Sequence, residues 1–189
     1  MALITPQRLV SAEPRLYDGS QLRSHWIYET FDLRGDAIVA FVGGVDVRGP
    51  GLVDLADRKD GLFIAGRAML HLILESFGPS LDRAVFLQRL LVLLAVERLR
   101  HHGLGRLQRR GDDLYVDDGK LSVSIATVSG VSCLVHLGIN VSRDGTPVKT
   151  SALEDFGVDP LAFADELTSA FADELCRMSE ASNKVRSVP

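Results

Sequence analysis

The chain has 189 residues, of which 46% are hydrophobic and 24% charged, and a formal net charge of -4. Such a length and composition suit one domain with one full core and exclude a chain that is disordered throughout. The acidic balance argues against a nucleic-acid binder, which usually carries a basic excess, and the longest apolar run, Leu90 to Val96, is far short of the roughly 20 residues that a membrane span needs.

Cys133 and Cys176 are the two cysteines. They form no CxxC pair or disulfide framework, which fits a reducing compartment. The first ten residues, MALITPQRLV, lack the charged segment, apolar run and cleavage site of a secretory leader. The expectation is a cytoplasmic protein.

Ser20 to Phe31 reads as the first helix, with Ser20 as N-cap and Leu22, Trp26, Ile27 and Phe31 near one face. Arg23 would lie in its first turn, where free amides attract anions, and is a candidate substrate-binding residue. Asp36 to Val42 (DAIVAFV), bounded by Gly35 and by Gly43–Gly44, reads as a strand buried on both faces. Arg67 to Phe77 reads as a second helix, with Met69, Leu72, Ile73 and Phe77 on one stripe and Gly78–Pro79 as the stop. Within it, His71 and Glu75 would pair at i,i+4. Ser80 then caps a long helix to His101, ended by Gly103, whose centre LLVLLAV is apolar all round and expected deep in the core.

Leu114 to Val116 reads as a strand, Asp117–Asp118–Gly119 as a turn, and KLSVSIAT from Lys120 as the next strand. VSCLVHLGINV follows after Ser129–Gly130. A three-residue loop, Val128 to Gly130, would set Ser122 opposite His136 and Lys120 opposite Gly138. One face would then carry Lys120, Ser122, Ser124, His136, Gly138 and Asn140, and the other would be apolar and include Cys133 as a packed thiol. Small polar residues around one lysine fit a pocket floor, where the ammonium could hold a carboxylate or an acyl-phosphate. They also fit a solvated strand face with Lys120 at its end. The last helix starts at Asp159–Pro160, with Asp as N-cap and Pro at the first helical position. It is expected to end at Met178 and leave residues 179–189 as a flexible tail of a single domain, 1–178.

Asp46, Asp54 and Asp57 with His71 and His136 show no tight ligand spacing, and no metal site is assigned. The basic group His101, His102, Arg106, Arg109 and Arg110 has no interleaved aromatics for base stacking. A sheet edge and apolar helices make a homodimer or larger assembly an expectation.

The segment RGDDLYVDDGKLSVSIA resembles the lipoate ligase stretch in which Arg-x-Asp precedes a short strand, a turn and a lysine-led strand of small residues. HLGINV resembles the Gly-Ile-Asn strand of biotin ligases, and TPVKTSALEDFGVDP with the helix after it resembles their continuation. With DGSQLRSHW, GGVDV and MLHLILESF, the whole chain resembles an uncharacterised archaeal and bacterial family that has the biotin/lipoate protein ligase-like (class II synthetase-like) fold. The resemblance implies an α+β domain with a mixed, largely antiparallel sheet flanked by helices. It implies a ligase or acyltransferase in which Lys120 contacts the acyl carbonyl and the α-phosphate, with ATP or an acyl-adenylate as co-substrate. Arg23, Ser122, Ser124, His136, Gly138 and Asn140 would bind substrate. The chain departs from the ligases in the region RGPGLVDLADRKDG, which has Arg48, Gly49 and Gly51 but no clustered glycines with paired arginines. A second expectation follows from that departure: a non-catalytic ligand-binding or assembly module of the same fold that has lost its ATP loop.

Overall fold

A computed structural model describes residues 6–188; the leader reading above rests partly on residues outside that range. The main sheet has five strands: β1 (Gln7–Ser11), β2 (Ala37–Val47), β3 (Ile64–Phe77), β8 (Ser132–Asn140) and β7 (Ser122–Val128), in that spatial order. β1 pairs with β2 in parallel, and every other pairing is antiparallel. A three-stranded sheet, β4 (Leu107–Arg110), β5 (Asp113–Val116) and β6 (Gly119–Lys120), lies beside it. The fold is therefore mixed α+β with a mostly antiparallel sheet, as the sequence led one to expect.

Two long helices, α3 (Leu81–His101) and α4 (Pro160–Asn183), cover one face of the main sheet. Both begin at the caps read from sequence: Ser80 Oγ accepts from the Arg83 amide, and the Asp159 carboxylate accepts from the Ala162 amide. Under them lie Leu70, Leu72, Leu74, Val135, Leu137 and Ile139 with Leu91, Phe163 and Phe171, all fully buried. The centre of α3 is less enclosed than expected, since Leu93 is 49% exposed. α4 continues to Asn183, five residues past Met178.

Three further expectations are corrected. The segment from Arg67 to Phe77 is not a helix but the second half of β3, a central strand of 14 residues. Its apolar residues fill both faces, so helical spacing and strand alternation fit the same run, and pairing with β2 and β8 decides the matter. His71 and Glu75 therefore share one strand face without bonding each other. The first helix, α1, spans only Trp26–Phe31. Ser20 does not cap it, because its hydroxyl donates to Asp18 at 2.6 Å. His25, in the left-handed region at φ 64, precedes α1 instead, and its amide is held by Glu75 Oε1 and Oε2 at 2.9 and 3.0 Å.

The third correction concerns register. Val128 pairs with Cys133, so the β7–β8 loop has four residues, Ser129 to Ser132. Ser129 Oγ accepts from the Val131 and Ser132 amides and fixes that longer turn. Ser122 pairs with Ile139, not His136, a shift of three residues. An odd shift moves side chains to the opposite face. Ser122 and Ser124 thus share the helix-covered side with Ile139 and Leu137, while Val123 and Ile125 share the other side with Gly138 and His136.

That other side is covered by the N-terminal segment rather than by long helices. Residues 13–17 cross β2 at Gly43, where a Cβ would lie 1.7 Å from the Arg15 carbonyl oxygen. Only glycine permits this approach. Tyr17 is then pinned, its amide donating to the Gly44 carbonyl (2.9 Å) and its carbonyl accepting from Asp46 (3.0 Å).

Candidate functional site

The uncapped part of this second face opens into a cleft of about 380 Å³, within the range of small-molecule sites. Its floor is formed by Tyr17, Met69 and His136. One group of lining residues, Leu52, Val53, Leu62 and Phe63, comes from the β2–β3 connection, and Val148 joins it from the loop after β8. Of these, Val53, Leu62, Phe63 and Val148 are apolar yet exposed. A second group is polar: Asp112 and Asp113 at β5, Lys120 on β6, Ser124 on β7 and Asn140 at the end of β8.

Lys120 stands where it does because its backbone is held on both sides. Its amide donates to the Lys149 carbonyl at 3.0 Å, and its carbonyl accepts from the Ser151 amide at 3.1 Å and from Asn140 Nδ2 at 3.0 Å. Asn140 also donates to the Ser151 carbonyl at 3.3 Å. The asparagine of the Gly-Ile-Asn strand is thus the clamp that fixes the lysine strand against β8. The Lys120 ammonium bonds Asp113 Oδ2 at 2.7 Å, the two side chains being 29% and 27% exposed. Burial raises the Asp113 pKa, and the ammonium works against that rise.

His136 of the floor forms an imidazole pair with His71 beneath it. His71 Nδ1 and His136 Nε2 are 3.1 Å apart, both side chains are buried, and Tyr17 stacks on His136 with ring centroids 3.9 Å apart. Burial lowers the His71 pKa to about 4, and burial together with His71 lowers that of His136. Both rings are neutral near pH 7 and share one proton between those nitrogens. Burial also raises the Tyr17 hydroxyl pKa, with a smaller push from Asp18.

Of the residues read from sequence, Lys120, Ser124, His136 and Asn140 meet in the cleft. Ser124 only borders the cleft, since its hydroxyl lies on the helix side and accepts from Gln88 Nε2 of α3 at 2.7 Å, a correction to the reading that it faces the pocket. Three others do not line it. Ser122 is buried on the helix side, accepting from the Leu114 amide at 2.9 Å. Arg23 is exposed and paired with Glu29. Gly138 lies beneath the floor, where a Cβ would fall 2.4 Å from Met69 Sδ and 3.2 Å from His136 Cε1. It makes room for the floor rather than touching a ligand.

Tyr17 and Asp113 were missed as lining residues, and His71 was weighed for the site only as a metal ligand with His136. The Arg-x-Asp before the short strand is Arg110-Gly111-Asp112, and Asp113 follows it by one residue. Tyr17 had no signal, because only the chain crossing at Gly43 brings it there. Cys133 is buried on the helix face, as expected. Among the described residues no group of three or more His, Cys, Asp or Glu is placed to hold a metal ion, and no helix is long and apolar enough to cross a membrane.

A family model described as a domain of unknown function, DUF366, matches residues 7–186. The chain belongs to the DUF366 family. A protein of Methanocaldococcus jannaschii described as uncharacterised is 38% identical over 148 residues, 75% of this chain and 66% of that protein, so the match spans just under two thirds of that relative. A solved protein of unknown function from Pyrococcus horikoshi is 41% identical, with TM-score 0.92 over 97% of this chain and 99% of its own. The family's fold is that of the protein ligases. The biotin protein ligase from Aquifex aeolicus, solved with biotin and ATP, superposes with TM-score 0.59 at 16% identity, over 92% of this chain and 72% of the ligase. The bipartite lipoate protein ligase of Thermoplasma acidophilum gives TM-score 0.56 at 16% identity, over 91% and 84%.

The Aquifex aeolicus ligase is solved with ATP, but the residues that line this cleft do not fit a polyphosphate. Among the described residues that line the cleft, Lys120 is the one lysine or arginine, against Asp54, Asp57, Asp112 and Asp113. The β2–β3 connection forms a short 3-10 turn, Gly49–Gly51, and a five-residue helix, α2 (Leu55–Lys59). The Gly51 amide is taken up by the Arg48 carbonyl at 2.9 Å. A Cβ on Gly51 would fall 2.8 Å from the Asp18 carbonyl oxygen, so this glycine serves backbone packing.

Proposed function

We propose that this cleft binds a small acyl compound, with its carbonyl-bearing head at Lys120 and its chain along Leu52, Leu62, Phe63 and Val148. The observation that carries this reading is the position of Lys120. Its ammonium lies in a concave site beside exposed apolar side chains rather than on a convex, solvent-washed strand. A fixed ammonium polarises or holds a carbonyl oxygen, and apolar walls gain from covering a hydrocarbon chain. The ligase fold adds support, since neighbours of that fold are solved with biotin and with lipoate. If the protein transfers the acyl group, Lys120 is the residue that contacts the reacting carbonyl. A non-catalytic binding module is the second reading, favoured by the packed Gly49–Gly51 turn and the aspartate-rich lining.

Thermal denaturation with biotin, lipoate, octanoate, the adenylates of these three, octanamide and ATP, on the wild type and on Lys120→Ala, tests this. Stabilisation by an acyl compound that is lost in Lys120→Ala supports the site. Pyrophosphate release from ATP in the presence of that compound would establish a ligase, and stabilisation without turnover would favour the binding module. No response to any acyl compound, with the variant melting like the wild type, sinks the acyl site.

A further inference from the structure

We infer that Asp113 is the specificity-determining residue of the cleft, and that the Lys120–Asp113 pair selects a neutral carboxamide head over a carboxylate or an amine. The inference rests on the acyl-site reading above and narrows the chemistry of the head. Lys120 is not a free cation awaiting an anion. One of its three N–H donors is already given to Asp113 Oδ2 at 2.7 Å. A carboxylate ligand would have to displace or approach Asp113, and Asp57, which also lines the cleft, has no cation partner among the described residues. Displacement would strand a half-buried carboxylate, which is costly. Asp112 is matched by Arg89 at 3.2 Å, and Asp54 accepts from the Ala56 and Asp57 amides, so neither relieves that repulsion with a spare cation.

An alkylamine has the opposite fault, since its charge would meet the Lys120 ammonium. A carboxamide meets both members of the pair. Its carbonyl accepts from a second Lys120 N–H while its N–H donates to Asp113, whose two oxygens offer about four lone-pair sites. Neither charge is then left unpaired. Recognition by adjacent donor and acceptor rejects analogues that lack one of the two, because a buried polar group is left without a partner. The neutral imidazole floor adds no charge of either sign. His136 is 3% exposed, and its Nε2 is occupied by His71.

The test uses three probes of equal chain length, hexanamide, hexanoate and hexylamine, titrated into the isotopically labelled full chain at pH 7.5 and followed by amide chemical shifts. Hexanamide is expected to bind at least about tenfold more tightly than the other two, shifting the amides of Asp113, Lys120 and His136. In Asp113→Asn the preference is expected to reverse, with hexanoate gaining about tenfold, because Lys120 is then free. Hexanoate binding more tightly than hexanamide to the wild type, with shifts at the same amides, overturns the inference and leaves the acyl site standing. That comparison needs no variant. If none of the three probes shifts the cleft amides of the folded wild type, the inference and the acyl-site reading fall together.

Discussion

The two faces of the main sheet are made by the same strands and do opposite things. On β3 and β8, Leu70, Leu72, Leu74, Val135, Leu137 and Ile139 point under the helices and form a continuous apolar core. The residues between them point the other way: Met69 and Ile73 join a smaller apolar cluster with Phe41 and Tyr17, while Glu75, His136 and Asn140 are held by specific hydrogen bonds. One face is held by area and packing density, the other by a smaller apolar cluster together with specific bonds. The larger core lies on the first and the proposed binding on the second, and the pleat separates them.

Substitutions can break this division, beginning with the largest effect. Leu137→Ala, on the helix side, removes a fully buried side chain and is expected to destabilise by about 2–5 kcal/mol. Urea denaturation should show this, with ligand binding at the cleft unchanged per folded molecule. Next comes the imidazole pair. The folded-state pKa of His71 is about 4 against 6.5 unfolded. The unfolded chain therefore takes up a proton between these values and the folded chain does not. Stability is fully present above pH 6.5 and falls as pH drops to 4, by about 3 kcal/mol from this residue. Denaturation midpoints measured across that window should slope in the wild type and flatten in His71→Gln. A wild type with no slope would show that the face is not sealed.

Glu75 is a smaller test. Its carboxylate takes the His25 amide and the Ser132 hydroxyl at 2.7 Å, tying the segment before α1 to β3. Glu75→Gln should cost about 1–3 kcal/mol. Amide exchange should speed up in residues 18–25 before it does under α3. Lys120→Met should have the least effect on stability, about 1 kcal/mol or less, since the ion pair is partly solvated. It should nevertheless abolish acyl binding in calorimetry. A large loss of stability with intact binding would reverse the assignment of the two faces.

The same contrast explains what could be read in the sequence. α3 and α4 were legible because their caps are local signals, as are the apolar centre of the first and the apolar stripe of the second. The first half of β2 was legible as an apolar run, but the strand continues through Gly43–Gly44, read as its end, to Val47. β3 was not, because a strand buried on both sides loses its alternation, and MLHLILESF satisfies a helical spacing equally well. In the site, His136 and Asn140 were found on their strand, but Lys120 stands on β6 opposite Tyr115 rather than opening the strand of Ser122 opposite Gly138, and Ser122 and Gly138 were misplaced. A loop of four residues held by Ser129 set the register, and nothing in the alternation distinguishes it from a loop of three. Tyr17 reaches the floor only through the crossing at Gly43, a contact between residues distant in sequence.

The packing of α4 against β1 and β2 has a consequence for how the molecule is made. β1 is an edge strand joined to the sheet in parallel, and Arg8 on it bonds Asp165 and Thr168 of the final helix at 3.1 and 3.2 Å. A chain still emerging from the ribosome reaches β2 and β3 well before residues 160–183 that roof them. Until then the apolar undersides of β1 and β2 lie open, and the N-terminal crossing that builds the cleft floor rests on an unfinished sheet. Completion of the cleft-bearing face is thus tied to the synthesis of α4, and a nascent chain stalled before it would expose sticky strands to chaperones.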